Sequence, residues 1–242
     1  VSFGLFIPPR ILNAAKYGGL NVHPSLLPDL RGPAPIHHTL LKKRRATGIT
    51  VQTLHPKHFD KGMILAQTLP PGVSVMPTAT VSLLTRELGI LGGQLLLDVL
   101  QRRAFVPPLE NVGWYPNSKD DPIEHAEKIT PAHRMIDFSA STLDDILTRH
   151  RVLGDLWCSL PNGERIIFHE ILDAGDSMGS FGSDGPPGVL VRENSKFLLA
   201  RTMDMHLIMI PSSTVSGGKK GAGLAYVRRH YGETSHDGNY EG

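Results

Sequence analysis

An α/β fold in two parts is predicted: an open, mostly parallel sheet covered by helices, followed by a small antiparallel β-barrel or sandwich. Three observations carry this expectation. Residues 1–105 alternate short apolar runs with helical patterns. Residues 106–123 hold Pro107, Pro108, Pro116 and Pro122, and neither the helical nor the strand period persists through them. From Trp157 onward, several short β-branched runs follow one another with turn residues between them. The division is 1–105 for a first domain, 106–123 for a linker, 124–230 for a second domain and 231–242 for a disordered tail.

In the first domain the strand candidates are residues 1–4, 19–23, 48–54 and 63–67. Within TGITVQTLH the apolar Ile49 and Val51 alternate with polar neighbours, the two-residue period of a strand. Residues 34–41 read as a short helix led by Pro33 and Pro35, since the fixed φ of proline suits a first helical turn. Thr78-Ala79-Thr80 then offers an N-cap, and Leu84, Leu88, Leu91 and Leu95 recur at spacings that one buried helix face would share. Arg102 and Arg103 close that helix at the negative end of its dipole.

In the second domain Ser141, followed three residues later by Asp144, reads as a variant capping box opening a helix through Leu143, Ile146, Leu147 and Leu153. WCSL, RIIFHEI, GVLVR, KFLLA and MHLIMI are the strand candidates, with Asn162-Gly163 as a hairpin turn. Residues 173–188, DAGDSMGSFGSDGPPG, hold too much Gly, Ser, Asp and Pro to pack and are expected to form a mobile insertion.

Composition removes several functional classes. With 242 residues and 40% hydrophobic content, the chain can bury a sizeable core. The leucine-rich stretch at 83–100 is broken by Arg86, Glu87 and Asp98, so no membrane span is expected. A single cysteine, Cys158, excludes an intrachain disulfide and a thiolate metal cluster, and is expected to be a buried small hydrophobe. Residues 1–121 carry a formal +6 and residues 122–242 a formal −4. The positive excess is sharpest at Lys42, Lys43, Arg44 and Arg45, a run that reads as a solvated helix end or as a phosphate contact. Of the histidines, His37, His38, His55 and His58 are expected at the surface, and none shows a zinc-ligand spacing.

The chemistry-bearing stretch is LNVHPSLLPDLRG, residues 20–32. In a strand Asn21 and His23 project from one face, an amide N–H beside an imidazole. Fixed donors of that kind can hold a carbonyl oxygen as negative charge develops on it. Pro24, Pro28, Pro33 and Pro35 stiffen the loop that follows, and Gly32 permits a turn. Asp60-Lys61-Gly62 follows the third strand candidate, and its carboxylate could hold His23 in the charged form. An amide, an imidazole and a carboxylate with no serine or cysteine nucleophile favour chemistry in which the substrate brings the nucleophile.

Residues 20–36, LNVHPSLLPDLRGPAPI, resemble the signature of the folate-dependent formyltransferases, and the later Asp60-Lys61-Gly62 matches their D-x-G in order and spacing. AEKITPAHRMIDFSAS, with Phe138 in place of a tryptophan, and GKKGAGLAYVRR resemble segments of the branch of that family whose acceptor is methionyl initiator tRNA. The resemblance implies a Rossmann-like formyltransferase domain, here lacking its N-terminal strands, and an OB-like C-terminal barrel. It implies 10-formyltetrahydrofolate as formyl donor and the α-amino group of methionyl initiator tRNA as acceptor, with no metal. It carries over Asn21 and His23 as stabilisers of the oxyanion and Asp60 as the group that orients His23 and moves protons. Ser2, Phe3, Gly4, Leu5, Ser25, Phe59 and Gly62 would border the folate, with Ser25 also supporting the loop. Lys42, Lys43, Arg44, Arg45, Lys219 and Lys220 would meet tRNA phosphates.

The other readings are a formyltransferase acting on a small amine, a formyltetrahydrofolate hydrolase, and a catalytically impaired truncated product retaining the second domain. The chain opens on Val1 with no signal or transit peptide in view, so a removed beginning or a fragment is expected. Asp29 departs from the basic or polar residue expected there. A monomer without membrane contact is expected, in the mitochondrial matrix, with the bacterial cytoplasm as the alternative.

Overall fold

A computed structural model describes residues 7–175, 185–191 and 195–231. It comprises two compact units that divide between Ile129 and Thr130. No helix among the described residues is long and apolar enough to cross a membrane. The strand expected at 1–4 lies outside the described residues.

The first unit begins with helix α1 (Pro9–Ala14) and strand β1 (Leu20–His23). Helix α2 (Pro35–Leu41) carries its proline at N1, where no N–H is needed. Strands β2 (Ala46–Thr47), β3 (Thr50–Thr53), β4 (Ile64–Gln67) and β5 (Val73–Ser74) precede the long helix α3 (Val81–Gln101). The main sheet runs β1-β3-β4, and β2 pairs with β5 separately.

Both ladders of the main sheet are antiparallel, which corrects the expectation of a mostly parallel sheet for the described strands. Apolar periodicity sets which face of a strand is buried but carries no information on its direction. Val22 sits opposite Val51, and that face meets α3 around a core of Val51, Leu65, Ala66 and Val99. α3 is capped as expected, with Thr80 Oγ1 accepting from Leu83 N at 3.2 Å. Its buried stripe is Leu84, Leu88, Gly92 and Val99, whereas Leu91 is 37% exposed. The stripe therefore passes through Gly92 instead of Leu91, where any side chain would press on Val22, since a Cβ would lie 2.9 Å from its Cγ1.

The opposite face of the sheet is buried too, under the chain that follows β1. Thr50 Oγ1 donates to Ser25 O at 2.7 Å and accepts from Leu27 N at 3.1 Å. Gln67 Nε2 donates to Leu27 O at 2.9 Å, while its Oε1 accepts from Trp114 N at 3.1 Å. These bonds satisfy polar groups taken from water and fix two loops on the sheet. The Pro-rich segment is thus pinned at Val112, Trp114 and Tyr115, with Val112 N donating to Ile64 O and Trp114 Nε1 to Thr68 O.

In the second unit a short 3-10 helix (Pro131–Arg134) precedes helix α4 (Leu143–Leu153), then come strands β6 (Leu156–Ser159), β7 (Arg165–Asp173), β8 (Gly188–Leu190), β9 (Leu198–Arg201) and β10 (Leu207–Val215), and helix α5 (Gly223–Tyr231). All five strands pair antiparallel in the order β6-β7-β10-β9-β8. The capping box is Thr142 with Asp145, one residue later than expected from Ser141 and Asp144: Thr142 Oγ1 accepts from Asp145 N, and Asp145 Oδ2 accepts from Thr142 N. Ser141 is instead buried. Asn162-Gly163 makes the β6–β7 turn, with Gly163 at φ 84°. Pro211 has no N–H to donate, and the register of β10 against β7 shifts around it.

Phe168, Ile146, Leu156, Leu198 and Ile208 are fully buried, and Phe138 packs against Phe168 with ring centroids 6.1 Å apart. Cys158 is buried, which pushes its thiol pKa up to about 12 and leaves an inert hydrophobe at neutral pH. Most of the insertion at 173–188 and all but the first residue of the tail at 231–242 lie outside the described residues.

Candidate active site

The two-residue period of β1 puts Asn21 and His23 on the face away from Val22. The register then sets Gln52 opposite Asn21 and Thr50 opposite His23, so one sheet face carries all four polar residues. Asp60 reaches this face from the β3–β4 connection, in a left-handed conformation at φ 51° that aspartate tolerates better than most residues.

The carboxylate of Asp60 is where these groups converge. Its Oδ1 accepts from Gln52 Nε2 at 3.1 Å and lies 3.5 Å from both Asn21 Nδ2 and His23 Nδ1. Its Oδ2 accepts from Gly32 N at 2.9 Å, and its carbonyl oxygen accepts from Arg31 Nε at 2.9 Å. Asn21, His23 and Asp60 therefore share one cluster. Gln52 and Arg31 belong to it as well, although neither is singled out in the sequence. The available signal for Gln52 is that it shares the polar face of β3 with Thr50 while Val51 points the other way.

His23 is 5% exposed, and its Nε2–H donates to Leu30 O at 3.0 Å, leaving Nδ1 toward Asp60. Burial holds the imidazole pKa below its ordinary 6.5, and it outweighs the opposing pull of Asp60 and the Leu30 carbonyl. The expectation that Asp60 keeps His23 charged is thereby corrected: at neutral pH the ring is neutral. A proton taken up by His23 goes to Nδ1, the edge it shares with Asp60.

Gly62 closes the Asp60 turn, where a Cβ would lie 1.6 Å from Thr53 O. A cavity of ≈ 220 Å³ opens here, lined among others by Asp60, Gly62, Gln52, Arg31, Ile64 and Asn111. Phe59, next to the turn, is 59% exposed. Ser25 is buried, donates its hydroxyl to Asp29 O at 2.7 Å, and lines a different cavity of ≈ 340 Å³ together with Arg44 and Trp114. Ser2, Phe3, Gly4 and Leu5 lie outside the described residues.

The basic run after α2 is drawn into internal pairing. Lys42 Nζ pairs with Glu124, and Arg44 Nη2 lies 2.7 Å from Glu124 Oε1 and 3.7 Å from Asp29 Oδ1. Asp29 is buried and accepts from Glu124 N at 2.8 Å, and burial raises its carboxyl pKa. Lys43 and Arg45 are exposed, as are Lys219 and Lys220 in the turn before α5. His38 is buried, with Nε2 2.9 Å from Glu127 O, which corrects its surface assignment; His55 Nδ1 accepts from Lys57 N and His58 N. Among the described residues no three His, Cys, Asp or Glu side chains form a metal-binding group.

Residues 1–100 match the family profile described as Formyl transferase. Over this stretch the chain is similar to the formyl transferase family. Asn21, His23, Gln52, Asp60 and Gly62 all fall inside the formyl transferase region. The mitochondrial methionyl-tRNA formyltransferase of Saccharomyces cerevisiae is 31% identical over 268 residues, covering 97% of this chain and 65% of the yeast protein. The mitochondrial methionyl-tRNA formyltransferase of Homo sapiens is 35% identical over 158 residues, 64% of this chain and 38% of the human protein. The chain thus spans less than two thirds of the length of either relative. Among solved structures, the N-formyltransferase from Helicobacter canadensis, in complex with folinic acid and dTDP-3-aminofucose, has a TM-score of 0.53 at 17% identity, covering 86% of this chain and 70% of that one. At that identity the likeness speaks for a shared α/β formyltransferase fold.

Proposed function

We propose that this chain serves transfer of a formyl group from 10-formyltetrahydrofolate to the α-amino group of methionyl initiator tRNA. The observation that carries the reading is the convergence of Asn21, His23 and Gln52 on the Asp60 carboxylate, beside a cavity and inside the formyl transferase region. The folate donor fits the residues present: the cavity combines the polar edges of Arg31, Gln52 and Asn111 with the apolar wall of Ile64, and Gly62 leaves its rim without a side chain. Phe59 and Gly62 would border the pterin. When bound, the folate supplies an activated formyl carbon.

The chain's own residues then have separable roles. Asn21 carries two amide hydrogens, and its contact with Asp60 uses at most one, so the other can hold the formyl oxygen as negative charge grows on it. His23 is held neutral by burial and accepts a proton at Nδ1, where Asp60 stabilises the resulting imidazolium. Asp60 is itself held in place by Gly32 N and Arg31, so this stabilisation is preorganised. The relatives' names support a methionyl-tRNA acceptor and a mitochondrial site of action. Lys42, Lys43, Arg44, Arg45, Lys219 and Lys220 would meet tRNA phosphates, with Glu124 and Asp29 offsetting part of the charge of Lys42 and Arg44. The five-stranded antiparallel sheet with its closing helix supports an OB-like barrel for the second unit.

A formylation assay with 10-formyltetrahydrofolate tests this, offering methionyl initiator tRNA, a nucleotide-linked amino sugar, or no acceptor. We expect formyl-methionyl-tRNA as product, and a rate loss of about 10²–10³ in Asn21→Ala, His23→Ala and Asp60→Asn. Wild-type rates in all three variants would remove the assigned roles. Transfer to the amino sugar, or release of formate without an acceptor, would reassign the substrate.

A further inference from the structure

We propose that Gln52 is a positioning residue of the formyl-transfer site, a two-handed clamp that sets the Asp60 carboxylate against His23. This deepens the formyl-transfer reading and rests on it for the reaction, but the geometry stands apart from it. Gln52 is 2% exposed, on the central strand β3, directly across from Asn21. Its two amide ends do different work. Nε2 donates to Asp60 Oδ1 at 3.1 Å, and Oε1 accepts from Gly62 N at 3.1 Å.

One side chain therefore grips both the carboxylate and the backbone of the same turn. The pairing also fixes the amide's orientation: a backbone N–H can only donate, so Oε1 must face Gly62 and Nε2 must face Asp60. The clamp acts on the one carboxylate oxygen that the other anchors of the turn, Gly32 N and Arg31, do not reach. Asp60 sits in a left-handed conformation, and Gly62 contributes no side chain. Gly32 N holds Oδ2 and Arg31 holds the carbonyl, while Oδ1, the oxygen 3.5 Å from His23 Nδ1, accepts from Gln52 Nε2 at 3.1 Å and more loosely from Asn21 Nδ2 at 3.5 Å. At this locus stand the titratable His23 from β1, Asp60 from the β3–β4 connection and Arg31 from the loop after β1, with Gln52 of β3 neutral. Being neutral, Gln52 itself adds no charge to the His23–Asp60 pair.

Two substitutions separate positioning from packing. Gln52→Met keeps the volume and removes both hydrogen bonds, whereas Gln52→Glu keeps an acceptor for Gly62 N but offers Asp60 a donor only when protonated. The first readout is the titration of His23 in the 242-residue chain, followed by NMR of the imidazole, which requires no activity. With the clamp gone, Asp60 drifts from Nδ1 and the His23 midpoint falls by roughly half a unit or more in Gln52→Met. The second is the pH–rate profile for formyl transfer: Gln52→Met lowers kcat by about tenfold or more, and Gln52→Glu recovers toward acid pH as its carboxyl takes up the donor proton. An unchanged His23 midpoint in a Gln52→Met protein that retains its thermal stability overturns the proposal and leaves Gln52 as packing. Should Gln52→Met fail to fold, the profile of Gln52→Glu decides: a wild-type shape overturns the proposal, and an acid displacement supports it. A shifted His23 midpoint in a protein whose wild type transfers no formyl group would retain the clamp and remove only the reaction assigned above.

Discussion

At the residue scale the site depends on two kinds of constraint, burial at His23 and the absence of a side chain at Gly62. Burial disfavours the charged imidazole more than one carboxylate at 3.5 Å favours it, so His23 enters as an acceptor of a proton instead of a standing cation. Gly62 is required for sterics, because a Cβ would overlap Thr53 O at 1.6 Å and the turn carrying Asp60 would have to move. Gly62→Ala should therefore behave unlike a surface substitution. We expect a stability loss of about 2 kcal/mol or more in chemical denaturation, together with loss of the His23–Asp60 coupling in the imidazole titration. A Gly62→Ala protein with wild-type stability and titration would show that the turn can relax around a methyl group. Gly89 is the control, since a Cβ there meets nothing within 4 Å. Gly89→Ala, in the interior of α3, should leave stability unchanged or raise it by up to about 1 kcal/mol.

At the element scale, helix starts offer the next measurable quantities. Thr80 caps α3 through Leu83 N, and Thr142 caps α4 in a reciprocal pair with Asp145. Thr80→Ala and Thr142→Ala should each cost about 1 kcal/mol in denaturant unfolding. A null effect at Thr142 with a cap-sized loss in Asp144→Ala would restore the earlier register for that helix. β1, β3, β4, α2 and α3 fall close to where periodicity, proline position and capping residues put them, because those signals are local. Strand direction was not legible, since alternation looks the same read either way. The pairing of Lys42 and Arg44 with Glu124 was not legible either, as it joins residues about eighty apart with no local trace. Asn21, His23 and Asp60 could be read from motif spacing. Gln52 could be read only once β3 lay across from β1, because its role depends on register.

At the scale of the whole molecule, the same buried groups make stability depend on pH, and each of the two units has its own reporter. The chain contains two tryptophans, Trp114 before Ile129 and Trp157 after it, so single-tryptophan variants follow the units separately. His23 has a folded pKa below 6.5, whereas the unfolded chain binds its proton near 6.5. As pH falls below that value the unfolded state gains a proton that the folded state refuses, and stability drops until the folded pKa is reached. Asp29 acts in the opposite sense. Its folded pKa is raised above 3.8, so the folded state protonates first and gains stability as pH falls through that raised value toward 3.8. Glu124, held below 4.5 chiefly by its hydrogen bond from Lys42, loses its stabilising contribution as pH falls from 4.5 through its lowered value. The Trp114 signal should therefore report a first unit less stable at about pH 5.5 than at about pH 7.5, with a slope that His23→Gln removes and Asp29→Asn leaves in place. A Trp114-reported midpoint that stays flat across that interval, or a slope that survives His23→Gln, would show that burial does not hold the imidazole neutral, and the proton-accepting role assigned to it would lose its basis.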